Sequence, residues 1–552
     1  MTHTYTVVTF SPVQGFIETS RKLRDLYGSS YLLSYLAYSL YKAAQDHGCT
    51  VTSPASVNVA KGIPNTLLIQ GDFPQNKAQD TLRQTWRNVI EECRHYLETQ
   101  VPSLRPSQRT WAGQWSAWAN YTWEFFWAQG HDSGDAKIAI KNAFTALNRA
   151  KQQRDWTGIN WMGESSTLSG TDAIAWPQMD SGQPAKDFLR AETYRAMEEY
   201  CTQLSKALPD SIVDSKEQLS IPELTKRLIT LYDVTKNLPN LKVTELPRKF
   251  TDLNRKDSNT WTGWFMGDGD SMGKYLDALE PADRTKLSEA LIDWGAKLEK
   301  HLSEALHPTD DDHDKAGRII YSGGDDFLGV LYRKTGNKPL SLGDCLDSWF
   351  SDFKTEIWAN HGQGITVSVG LVWAGPQVPL RDVLQHSREA EKAAKNAGRD
   401  RLALRILFNS GQHLQWVCPW DCLKAILGGY CDRSGKTGQD GDWKQFHSDY
   451  NHLHSRHAIP LSPIDANPNL SPDDLTQVSQ ALLKFYFPKL VLDFSDNSRF
   501  LFNLNPEEAQ KLGPAEPRSG ILGPREAYLD QAAIAYAFNR WVHNLAQIAP
   551  YL

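Results

Sequence analysis

GRIIYSGGDDFLGVLYR, residues 317–333, sets two apolar runs on either side of a tip made of two glycines and two adjacent aspartates, Asp325 and Asp326. The runs read as the strands of a β-hairpin and SGGDD as its turn. Gly and Asp are ordinary turn residues, but two like charges side by side on one tip repel. A turn alone has no need of them.

The flanking sequence predicts the sheet to which this hairpin belongs. WTGWFMG (261–267) is a short apolar and aromatic run. The segment that follows, 268–306, repeats Leu and Ala every three to four residues, which predicts a strand, a short helix and a long helix broken near Pro281. After the hairpin, 341–359 reads as helix, ITVSVGLVWA (365–374) as strand, 379–398 as a helix opening with proline and closing with glycine, and RLALRIL (401–407) as a last strand. The order β, α, β-hairpin, α, β, α, β matches a ferredoxin-like split βαβ sheet with one strand added. In that topology the first strand lies beside the hairpin, so Asp268 at its end meets the 323–326 tip.

The chemistry follows from that meeting. Paired magnesium ions need carboxylate oxygens from separate backbone positions, open on one side to phosphate. GDGDSMG (267–273) and SGGDD (322–326) supply them: Asp268, Asp325 and Asp326, with Asp270 a lesser candidate. Gly269, Ser271, Gly323 and Gly324 leave room for a nucleotide's phosphates to approach the backbone. Two ordinary polar turns are the alternative for either motif taken singly. A dinucleotide-binding loop fits poorly, because G-x-G-x-x-x-G is one residue too long and its aspartates would repel a pyrophosphate. Lys392 and Lys395, late in the helix after the second long strand, complement the helix dipole, and Lys395 in particular is placed to reach a triphosphate.

The N-terminal part repeats this order more weakly: a strand (5–10), helices, a hairpin built from 51–60 and 65–71, and another helix. Its tip, KGIPN (61–65), carries no acid. The expected fold class is α+β, with two ferredoxin-like palms at 1–105 and 257–410, a mainly helical region at 106–256 and a helical C-terminal region at 411–552. The tryptophan-rich run at 111–130 is read as a helical core or interface stripe.

Length and composition bound the rest. A chain of 552 residues exceeds one core. Its 59 basic and 65 acidic residues give a net charge of -6, so no global basic field draws it to nucleic acid. No membrane-spanning run or signal peptide is evident, and seven cysteines argue against a disulfide framework. A cytoplasmic protein is expected. Cys418, Cys422 and Cys431 are weak zinc candidates, with packed free thiols the simpler reading.

Four stretches (11–34, 265–276, 321–330 and 365–404) together resemble the large palm subunit of type III CRISPR effector complexes, the CRISPR-associated protein ten family, in the version of subunit two of the Cmr (type III-B) complex. The GGDD hairpin alone is also similar to that of diguanylate cyclases. The resemblance implies a prokaryotic antiviral subunit that joins ATP into cyclic oligoadenylate when its complex captures target RNA, using two Mg2+ or Mn2+ ions. It implies that Asp268 and Asp325 hold the metals, with Asp326 assisting. It also implies that the degenerate first palm holds the acceptor ATP, with Gly28, Ser29 and Ser30 at a helix start. Guide and target RNA would be held mainly by partner subunits. Many members begin with an HD nuclease domain. Here the first palm starts at once, and His131-Asp132 and His313-Asp314 read as polar loops, so no HD-type DNase is expected. Residues 163–177 resemble the family's zinc element with its thiols replaced. A non-catalytic ATP-binding scaffold is the rival reading.

Overall fold

The computed structural model describes residues 2–59, 62–101, 109–153, 159, 164–177, 190–208, 212–239, 260–306, 317–332, 340–467, 469–491, 493, 495, 498–509, 511–512 and 515–552. The pair His313-Asp314 lies outside them. The chain divides into two compact units: Met1–Leu253 with Asp277–Ile292, and Asn254–Leu276 with Asp293–Leu552.

The first unit is built on a four-stranded antiparallel sheet of β1 (His3–Ser11), β2 (Thr50–Ser53), β3 (Thr66–Gln70) and β4 (Glu124–Asp132), in the order β2-β3-β1-β4. Alternation along β1 separates two cores. Tyr5 and Val7 pack with Ala139, Ile140, Ala143 and Leu147 of the helix Ala136–Gln152. Val8 and Phe10 face Leu32, Leu36 and Leu40 of the helix Leu23–Asp46 and Leu82, Trp86 and Val89 of Gln75–Gln100. At Gly130 an added Cβ would sit 2.1 Å from the Ala139 carbonyl, so only glycine lets that helix lie on β4.

Several expectations are corrected here. A boundary at 105 would cut the sheet, because β4 lies inside the region read as helical and pairs along the whole of β1. The tryptophan run is half helix (Arg109–Tyr121) and half strand; Trp111 and Trp115 are core residues, and Trp127 on β4 donates to the Phe73 carbonyl. The His131-Asp132 pair ends β4 instead of lying in a loop. Gly28, Ser29 and Ser30 are not at a helix start. They lie inside Leu23–Asp46 and are buried, and a Cβ on Gly28 would fall 1.8 Å from the Lys226 carbonyl. The start of that helix is taken up by Asp25, which accepts from the Arg21 and Lys22 amides at 2.8 Å and pairs with Arg227. In the segment read as a thiol-less zinc element, Ser166 Oγ donates to Glu223, which also accepts the Ser169 amide. A hydrogen-bonded knot thus joins these residues.

The second unit holds a six-stranded sheet in the order β10-β9-β8-β5-β7-β6. Its strands are β5 (Thr262–Gly269), β6 (Gly317–Ser322), β7 (Phe327–Leu331), β8 (Val367–Ala374), β9 (Arg401–Leu407) and β10 (His413–Pro419). The run β8-β5-β7-β6 is the ferredoxin-like arrangement, and β9 joins β8 in parallel. The expectation of a helical region from 411 is corrected by β10, which pairs antiparallel with β9 over its full length. Helices Met272–Ala278 and Pro281–Leu306 follow β5 with the break near Pro281 that the sequence predicts.

The helical segment after the hairpin is irregular. A short α-turn (Leu342–Cys345) passes into π-turns at Leu346–Phe350 and Phe353–Ile357 and a 3-10 turn at Trp358–His361. The wider turns bring Trp349 and Phe350 against Phe265 and Phe353 against Phe327, and Trp358 in the 3-10 turn also packs on Phe327. Glycines hold the aromatic layer together: a Cβ at Gly267 would lie 2.2 Å from the Phe327 ring, and one at Gly329 would lie 2.3 Å from that of Phe265.

Candidate active site

β5 and the β6–β7 hairpin are locked together at the acidic end. The Gly269 amide donates to the Asp325 carbonyl at 3.1 Å, and a Cβ at Gly269 would meet Asp325 Cβ at 2.9 Å. The tip closes through a Gly323 amide bond to the Asp326 carbonyl, with Gly324 at φ 146. On the far side, the Ser322 hydroxyl donates to the Gly295 carbonyl at 2.9 Å, pinning the hairpin to the long helix. These contacts bring Asp268, Asp325 and Asp326 into one cluster.

The helix Leu380–Asn396 supplies the rest. It crosses β8 closely enough that a Cβ at Gly370 would sit 2.3 Å from the Glu391 amide. That approach sets Lys395 in an ion pair with Asp268 and, at 2.5 Å, with Glu391 one turn earlier. Burial works against the lysine's charge, but the two carboxylates hold its pKa above the ordinary value.

Charge balance at the cluster is lopsided. Asp325 is pushed up to about 7 by lost hydration and by the charge of Asp268. Asp326 is pushed up to about 8 by lost hydration and by Asp268 and Asp325. Its carboxylate accepts the Tyr321 hydroxyl at 3.2 Å. Glu391 is also raised, by burial first. Among the described residues, Lys395 pairs with Asp268 and Glu391 and its charge also acts on Asp325.

The donor set fits hard divalent cations. All the candidate donor atoms are carboxylate oxygens, and the raised Asp325 and Asp326 reflect lost hydration together with crowded negative charge. Among the described residues no three such side chains form a ready-made cage. Mg2+ keeps water and shares substrate phosphates in preference to all-protein cages. Asp268, Asp325 and Asp326 are the residues that would hold it.

Asp270 is not available for that role. It is 7% exposed and accepts from Ser368 Oγ at 2.6 Å, Thr366 Oγ1 at 2.9 Å and the Asp400 amide at 2.9 Å. Its carboxylate ties β5 to β8 and to the turn before β9, which corrects its candidacy as a metal ligand. Ser271 adopts the left-handed φ of 57, and its carbonyl accepts the first helical amide bond, from Tyr275. Lys392 is exposed and is not joined to the acidic cluster. Two members of the cluster escaped the sequence reading. Glu391 was legible one helical turn before Lys395, and Tyr321 immediately precedes the turn.

Cys418 and Cys422 are buried free thiols, each raised by burial first. Cys431 is a free thiol of intermediate burial. Among the described residues no helix is long and apolar enough to cross a membrane.

Comparison with known proteins bears on both sheets. Residues 262–403 match the model of the Cas10/Cmr2 second palm domain, and residues 5–58 match that of the N-terminal region of CRISPR-associated protein Cmr2. No curated protein sequence matches the chain. Among solved structures, the type III-B Cmr-beta complex in its apo state contains a chain with a TM-score of 0.57 and 12% identity, covering 99% of this chain and 82% of that one. The Csm1–Csm4 cassette with one ATP aligns with a TM-score of 0.45 and 14% identity, over 100% of this chain and 70% of that one. The same cassette with cA3 aligns with a TM-score of 0.46 and 13% identity, over 100% and 69%. The palm match runs from β5 into β9 and includes the whole acidic cluster, so this region of the chain is similar to the Cas10/Cmr2 second palm.

Proposed function

We propose that the chain is the palm subunit of an RNA-guided type III CRISPR complex and that its second palm joins ATP molecules into cyclic oligoadenylate. The observation that carries this reading is the under-neutralised cluster of Asp268, Asp325 and Asp326 on adjoining backbone elements. A purely structural turn would shed such crowding.

Two Mg2+ or Mn2+ ions held by these three residues would acidify an attacking ribose 3′-hydroxyl and neutralise the leaving pyrophosphate. The chain's own groups do the remaining work. Gly269, Gly323 and Gly324 keep side chains away from the triphosphate's path. Tyr321 orients the Asp326 carboxylate through its hydroxyl. Lys395 holds Asp268 in register and offers its ammonium to a phosphate oxygen as nucleotide enters. Partner subunits grip guide and target RNA, in keeping with a chain that carries no net basic charge.

The assembled complex, incubated with labelled ATP, Mg2+ or Mn2+ and complementary RNA, should yield adenylate rings or chains identified by mass. Asp325→Ala/Asp326→Ala should abolish them. ATP binding without product under every target RNA would replace the enzyme by a nucleotide-binding scaffold.

A further inference from the structure

Behind the acidic cluster lies a second group of charges that the proposed chemistry does not use. Lys354, 3% exposed, donates to Asp400 at 2.9 Å, to Asp421 at 2.7 Å and to the Glu516 carbonyl at 3.1 Å. Asp421 also accepts the Arg518 and Ser519 amides at 2.8 and 3.0 Å, and the Ser519 hydroxyl donates to Asp400 at 3.0 Å. Three separated stretches of chain therefore converge on the buried Lys354 ammonium.

The arrangement is costly in three ways. Burying three charges loses hydration that their attraction only partly returns. Asp400 Oδ1 has no hydrogen-bond partner. Arg399 and Asp400 both take left-handed φ values, 63 and 52, which non-glycine residues rarely adopt in succession. Lys354 itself sits in a π-turn, a distortion that re-aims a side chain.

All of this ends at one hydrogen bond. The left-handed turn points the Asp400 amide at Asp270, 2.9 Å away, and Asp270 in turn is held by Ser368 and Thr366 two residues beyond Asp268. A second grip reinforces the turn: Asn503 donates to the Gly398 carbonyl at 2.9 Å and accepts from Arg401 at 3.1 Å.

We propose that Lys354, Asp400 and Asp421 form a positioning clamp that holds the Asp268 end of β5 in the geometry needed for divalent cations and nucleotide. Lys354 is a positioning residue, since it touches no reacting atom. The proposal rests on reading that end of β5 as a metal-nucleotide site.

The test is Mn2+ binding, followed by electron paramagnetic resonance of free Mn2+ with a non-hydrolysable ATP analogue present. It compares the whole chain with K354M, K354R and the paired variant K354M/D400N. The paired variant removes a cation and an anion together and so remains folded where K354M alone fails. Asp432→Asn is the stability control: that carboxylate accepts the Ser434, Lys436 and Asp442 amides in a distant loop. Expected are about tenfold weaker Mn2+ binding in K354M/D400N with unchanged circular dichroism, partial recovery in K354R, and wild-type affinity in D432N. Wild-type Mn2+ affinity in folded K354M/D400N overturns the clamp. A wild-type chain that binds Mn2+ and nucleotide but makes no adenylate product sinks the enzymatic reading and leaves the clamp judged on binding. A wild-type chain that binds no Mn2+ overturns both.

Discussion

Replacing Gly370 by alanine tests how the acidic cluster is assembled. The new Cβ would lie 2.3 Å from the Glu391 amide nitrogen, 2.5 Å from the Ser387 carbonyl and 2.8 Å from Ala390 Cβ. Carbon contacts settle at roughly 3.5–4.0 Å, so relief requires the helix to withdraw by about 1 Å. The obstacles are backbone atoms, which cannot rotate aside. Overpacking of this kind costs about 1–3 kcal/mol, and a clash with backbone belongs at the upper end. The same withdrawal carries Glu391 and Lys395 off Asp268. A displacement of about 1 Å at a reacting centre can cost on the order of a hundredfold in rate. Urea unfolding of the second unit and adenylate synthesis by the assembled complex measure the two effects. A G370A protein that unfolds within about 0.5 kcal/mol of wild type and retains its activity would refute the close-approach argument.

Other perturbations separate roles within the chain. Asp325→Asn should make the metal-free protein melt higher: the folded-state pKa of about 7 lies above the unfolded value near 3.9, so this carboxyl's contribution is intact below about pH 4 and is lost as pH rises through 7. The gain should therefore be seen at pH 8 and vanish at pH 4, and a gain independent of pH would contradict it. Asp270→Asn should instead lower stability, by about 1.5–3 kcal/mol, because asparagine offers one acceptor oxygen where the carboxylate has two, so its NH2 must face either Ser368 or the Thr366 hydroxyl and Asp400 amide; equal melting of the two proteins would argue against its tying role. In the first unit, Arg227→Leu strands Asp25 and Glu217 in a buried site and should cost about 3–5 kcal/mol by denaturant unfolding. A loss under 1 kcal/mol would mean that water reaches the pair.

The hairpin and its neighbours were legible because local signals agreed. Period-two apolar runs, a glycine-rich turn and leucine spacing of three to four all pointed to the same sheet, and Asp268 followed from topology alone. What stayed hidden was decided by partners far away in the chain. β4 sits more than fifty residues beyond β3, and its tryptophans suit helix as well as strand, so only pairing with β1 reveals it. Asp270 looked like a ligand because nothing near it in sequence discloses Ser368 or the Asp400 amide. The burial of Gly28 depends on the backbone of Lys226, about two hundred residues later.

The pairing of β10 with β9 bears on how a recombinant palm should be cut. A fragment ending near 410 would leave the β9 edge, including Leu402, Leu404 and Ile406, without its neighbour. An apolar strand with free amides and carbonyls is a template for self-association. The smallest workable fragment must run past Pro419, and because the 516–519 stretch closes over Lys354, even that piece would begin life with a buried charge laid open to water.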